Sequence, residues 1–79
     1  MAQLWIGNVD DSATDDDIRD LLVRYGFPAF DAIEHVPGSG VRPAVLLTFN
    51  QAPPQELRML GDRIQNLFWK NRKINIQVM

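Results

Sequence analysis

The sequence has no cysteine and a single histidine, His35. Without thiols there is no disulfide, no thiolate metal site and no cysteine nucleophile. One imidazole cannot build a multi-histidine metal centre. Long apolar runs are missing too. The longest, Ala44-Val45-Leu46-Leu47, is four residues, against the roughly 20 needed to span a bilayer. The first residues alternate polar and apolar and lack the basic-then-apolar order of a secretory signal. These absences set the expectation of a cytoplasmic protein with no membrane contact, no metal and no cofactor.

What is present is modest. The chain has 79 residues, of which 46% are hydrophobic and 23% charged, which is the make-up of one ordinary globular domain over residues 1–79. The net charge of −2 conceals a division. Residues 1–34 carry eight acids and two bases; residues 35–79 carry six bases and two acids. An acidic total argues against strong non-specific binding of nucleic acid, and the basic second half leaves room for a local patch.

Hydrophobic spacing gives the elements. Residues 3–9 read as a strand, with Leu4 and Ile6 on one side and Gln3, Trp5 and Gly7 on the other. Thr14 is a suitable helix N-cap, with Asp17 three residues on. Asp15, Asp16 and Asp17 then fall in the first turn, where the helix dipole favours negative charge. Ile18, Leu21, Leu22 and Tyr25 make one apolar stripe. Gly26 ends the helix in a left-handed cap, and Pro28 prevents it restarting.

Residues 29–36 read as a second strand with Phe30 and Ile33 inward. Their spacing of three predicts a bulge. Pro37-Gly38-Ser39-Gly40 is a turn. Residues 42–49 form a third strand, with Val45, Leu47 and Phe49 on one face and Arg42, Ala44, Leu46 and Thr48 on the other. Pro53 and Pro54 open a second helix with Leu57, Leu60 and Ile64 buried, and Gly61 allows close packing. Residues 66–72 are expected to be a loop carrying Leu67, Phe68 and Trp69. Lys73 to Val78 form a final strand with Ile74, Ile76 and Val78 inward. The order β-α-β-β-α-β predicts an α+β, ferredoxin-like fold: two helices on one face of a four-stranded antiparallel sheet whose other face stays open.

Three stretches resemble the RNA recognition motif family. Leu4-Trp5-Ile6-Gly7-Asn8-Val9 is similar to its first-strand hexapeptide. The segment from Thr14 through Tyr25-Gly26 is similar to its first helix, at matching spacing from Asn8. Trp69-Lys70-Asn71-Arg72-Lys73-Ile74-Asn75-Ile76 looks like the approach to its fourth strand, with Asn71 where glycine is usual. The likeness covers essentially the whole chain and implies single-stranded RNA as partner. The third strand departs from the pattern. In Arg42-Pro43-Ala44-Val45-Leu46-Leu47-Thr48-Phe49 the basic residue is kept, Pro43 replaces a glycine, and Ala44 and Leu46 stand at the two aromatic positions. Phe49 matches a core position. Of the family's three usual stacking residues, Trp5 alone remains.

The expected RNA-binding residues are therefore Trp5, Arg42, Leu46, Arg72, Lys73, Asn75 and Gln77. A Trp on an open sheet face stacks on an unpaired base. Arg and Lys meet phosphates, and Arg also stacks on bases. Asn75 and Gln77, on the outward side of the last strand, are placed to hydrogen-bond base edges. The alternative expectation is a protein partner. Some members of the family with an acidic first helix hold a Trp-containing peptide between the helices and the loop before strand four; the residues matching that site are Asp16, Asp20, Phe68 and Trp69. Those captors carry Arg-x-Phe in the loop, whereas Leu67 occupies the Arg position here.

Other motifs lead nowhere. Read as a calcium loop from Asp10, the acidic cluster puts Asp15 where glycine is needed and Leu21 where the bidentate Glu belongs. Gly38-Ser39-Gly40 precedes a strand and not a helix, unlike a phosphate-binding loop. His35 reads as a strand-end residue without a special role. No nucleophile–base pair has a recognisable spacing, so the expectation is a monomeric binding module and not an enzyme.

Overall fold

The computed structural model of the chain describes residues 2–10, 12–36 and 43–79. Its elements follow in the order β1 (Ala2–Gly7), α1 (Asp15–Arg24), β2 (Ala32–Val36), β3 (Ala44–Phe49), α2 (Pro54–Ile64), β4 (Phe68–Trp69), β5 (Arg72–Lys73) and β6 (Asn75–Val78). Four strands pair antiparallel in the order β2-β3-β1-β6, and β4 and β5 make a separate hairpin. This is the expected α+β arrangement. The turn over Pro37–Gly40 and the residue Arg42 lie outside the described residues.

The strand register explains why one sheet face is buried. Leu4 lies opposite Leu47 on one side and Val78 on the other; Ile6 lies opposite Val45 and Ile76. These side chains meet Ile18, Leu21 and Leu22 of α1 and Leu57, Leu60 and Ile64 of α2 in one core. At Gly61 α2 packs close against the sheet: a methyl group there would sit 3.1 Å from Ile76 Cγ2. Within the elements the large core residues follow the expected spacing of two in strands and three or four in helices, and Val9, Phe27 and Ile74 join the core from outside them.

The helix ends are set locally. Thr14 Oγ1 accepts from the Asp17 N–H at 3.1 Å, and the Asp17 carboxylate accepts from the Thr14 N–H at 3.0 Å. This is the reciprocal capping box. At the other end Gly26 has φ +86°. The Phe27 N–H reaches the Leu22 carbonyl at 2.9 Å, and the Gly26 N–H reaches Val23 at 3.1 Å, which closes the helix in a Schellman turn.

Three expectations need correction. β2 starts at Ala32, so Phe30 precedes the strand and no bulge is needed to bring it inward. Phe30 packs half-buried beside the core with the Arg19 guanidinium 5.2 Å from its ring centre. The stretch 66–72 is not a plain loop. Phe68 pairs with Lys73 and Trp69 with Arg72, around a two-residue turn in which Lys70 and Asn71 have φ +50° and +64°. Positive φ at both central residues is the mark of a type I′ hairpin turn. Finally, Lys73 belongs to that hairpin, and the last strand of the sheet begins at Asn75.

Candidate nucleic-acid interface

The face of the sheet away from the helices is built from alternate residues of all four strands. One row across it runs Glu34, Leu46, Trp5 and Gln77. A second runs Val36, Ala44, Gly7 and Asn75. A third begins Ala32, Thr48 and Gln3, where Gln3 Nε2 approaches Thr48 Oγ1 at 3.5 Å. Trp5 is half-exposed. Tyr25, Phe30, Ile33, Leu67, Trp69 and Val78 are also partly buried, yet they pack on the core, and Trp5 and Leu46 are not among them. The indole lies between Leu46 and Gln77, on the outer side of the sheet.

Gly7 shapes the surface beside it. A methyl group at Gly7 would fall 2.5 Å from Asn75 Oδ1. The absence of a side chain lets the Asn75 amide lie over the β1 backbone, one row from Trp5. Ala44 is buried on the same row. The two positions where the resemblance leads one to expect aromatics are thus filled by a small and an aliphatic residue.

The cations are distributed differently from the simplest expectation. Arg72 Nη1 donates to Asn8 Oδ1 at 3.2 Å, and its Nε stands 3.6 Å from Asp10 Oδ2. Asn8, itself at φ +61°, donates from Nδ2 to the Lys73 carbonyl at 2.9 Å. Together these contacts bracket the β4–β5 hairpin to the end of β1. Lys73 is exposed on that hairpin. Lys70 lies 3.4 Å from Asp17 Oδ2 and 5.6 Å from the Trp69 ring centre, on the α1 side. Arg42 lies outside the described residues.

Two carboxyls record this arrangement. The Ser12 hydroxyl and backbone N–H donate to Asp10 Oδ1, and with Arg72 they hold Asp10 below its ordinary range. Asp17 is lowered as well, first by the Thr14 N–H and then by Lys70.

The four residues of the alternative peptide site are spread along α1 and the hairpin. Asp16 is paired with Arg19 at 2.6 Å, and Asp20 is exposed. Trp69 packs half-buried against the core under Lys70, whereas Phe68 is 70% exposed. Two features escaped the sequence reading. His35 Nε2 meets the Asp15 carboxylate, tying β2 to the start of α1. Glu34 puts a carboxylate on the open face next to Leu46; counting alternate residues from Ile33 would have placed it there.

No protein-family model matches the chain, and no curated protein matches it in sequence. Solved structures do resemble it. The RRM3 domain of Pes4 is 18% identical with a TM-score of 0.75, over 100% of this chain and 92% of that one. The RRM3 domain of Mip6 is 13% identical with a TM-score of 0.77, over 98% and 91%. Snu17p, in a Snu17p–Pml1p structure described as an intermediate of RES complex assembly, is 19% identical with a TM-score of 0.73. That match spans 99% of this chain and 65% of that one. At such identities the likeness is one of architecture: the chain has the fold of RNA recognition motif domains.

Proposed function

We propose that this single RRM-fold domain is a binding module, not an enzyme, and that it takes single-stranded RNA across its open sheet face. The observation that supports this most is Trp5: a half-exposed indole on the outer side of the sheet, apart from the core. Every base has a face to stack, so one indole is a general platform for unpaired nucleotides. Leu46 extends its apolar area, and Asn75 and Gln77 supply donors and acceptors for base edges. Among the described residues Lys73 is exposed on the hairpin to meet phosphate, Arg42 is proposed beside it from the sequence alone, and Arg72 contributes only by leaving Asn8 and Asp10.

So few phosphates neutralised means weak binding, micromolar or looser, with a shallow salt dependence. The test is an amide-shift titration with mixed-sequence oligonucleotides at low and high salt. Shifts are expected at Trp5, Leu46, Asn75 and Gln77, and Trp5→Ala should weaken binding roughly 5- to 150-fold. No movement on the sheet at high RNA concentration ends the proposal. Phe68, so exposed on the hairpin, favours a second reading in which a protein is held there. Shifts at Asp16, Asp20, Phe68 and Trp69 with a Trp-containing peptide, and none on the sheet with RNA, would establish it.

A further inference from the structure

We infer that the open face selects guanine for the nucleotide lying over Trp5 and Leu46, and that Glu34 selects it. The inference rests on the RNA reading above and gives that site a base preference. Glu34 stands opposite Leu46, and Leu46 opposite Trp5, in one cross-strand row. Its Cα therefore lies one strand spacing, roughly 5 Å, beyond that of Leu46. Along its own strand the same face holds Ala32 and Val36, neither of which is polar. Among the described residues of the four strands, Glu34 is the one charged side chain on this face. It is exposed, and no described residue bonds to its carboxylate.

A carboxylate there does two things at once. It repels phosphate, so the backbone must pass elsewhere, and it accepts hydrogen bonds without donating any. A base stacked over Trp5 and Leu46 turns one edge toward β2. Of the four bases, guanine presents two neighbouring donors, N1–H and the N2 amino group, on its Watson–Crick edge. These match the two oxygens of one carboxylate. Adenine and cytosine offer one amino group beside an acceptor that the carboxylate repels, and uracil offers one imino N–H between two carbonyls. Charge-assisted paired bonds are the stronger kind, and a good bidentate pair discriminates against a wrong base by roughly 5- to 150-fold.

The experiment compares four hexanucleotides, one all uridine and three carrying a single central guanosine, adenosine or cytidine, by the shift of the Trp5 indole N–H. The guanosine strand should bind at least about fivefold more tightly than the others. Glu34→Gln keeps the size of the side chain and removes the charge. It should erase the guanosine preference while leaving the uridine strand bound as well or better, because a repulsion has gone. Glu34→Ala should do the same, and both variants should keep the wild-type amide spectrum elsewhere. Equal affinities for the four strands, or a preference that survives Glu34→Gln, overturns the assignment while RNA binding stands. Shifts at Trp5 with none of the four overturns both proposals.

Discussion

Gln65 at the end of α2 offers the sharpest test of how the sheet is closed. β6 is an outer strand, paired with β1 alone. Gln65 Nε2 donates to the Ile76 carbonyl at 2.8 Å, and Gln65 Oε1 accepts from the Ile76 N–H at 2.8 Å. One side-chain amide thus takes the place of a neighbouring strand, which is one way of protecting an edge. Gln65→Ala removes both bonds. At about 0.5–1.5 kcal/mol net for each, and with water able to reach the freed groups, the loss is about 1–2 kcal/mol. In a domain of this size that lowers Tm by roughly 4–16 °C. Thermal unfolding followed by circular dichroism measures it, and hydrogen exchange at the Ile76 amide locates it. Gln65→Glu should cost at least as much at neutral pH, because it loses the donor and sets a negative charge beside a carbonyl. A Tm within a degree of wild type, together with unchanged protection at Ile76, would refute the reasoning.

Leu4→Ala should lower stability by about 2–5 kcal/mol, since Leu4 is fully buried between Leu47 and Val78; chemical denaturation measures it, against a total stability of about 5–15 kcal/mol for an ordinary domain. Gly7→Ala should leave the fold intact, because the new methyl meets only the end of the exposed Asn75 side chain, but it should displace that amide and change the Asn75 side-chain N–H shifts. Acid should destabilise the domain. Asp10 and Asp17 are held below their ordinary value in the folded state. Their contribution is complete above the unfolded pKa of about 3.9 and is lost as pH falls through the lower folded values. Denaturation midpoints taken between pH 7 and pH 2 should fall mainly below pH 4, and less so in Asp17→Asn.

Much of the fold was legible because its signals are local. Leu4, Ile6, Val45 and Leu47 alternate, Ile18, Leu21 and Leu22 repeat at helical spacing, and Thr14, Gly26 and Pro54 mark ends by their own conformational preferences. The β4–β5 hairpin was not legible. Its strands are two residues long, too short for an alternating pattern, and its turn is Lys-Asn, not one of the glycine-containing pairs that announce such turns. The false bulge had the opposite cause: Phe30 is apolar and half-buried, but packing against Arg19 and the core does not require it to be in a strand. At the site, the face of Trp5 follows from alternation alone. The partners of Arg72 do not, because Asn8 is 64 residues away in sequence and only the folded chain brings the pair together.

The first strand has a consequence for the way the protein is made. β1 emerges from the ribosome before every other element, yet it lies inside the sheet, between β3 and β6. Until residues 75–78 dock, β1 paired with β3 keeps its other edge open, with the indole of Trp5 beside it. That half-finished sheet is a surface on which a second unfinished chain can pair in place of residues 75–78. Whatever delays the docking of residues 75–78 lengthens that exposure.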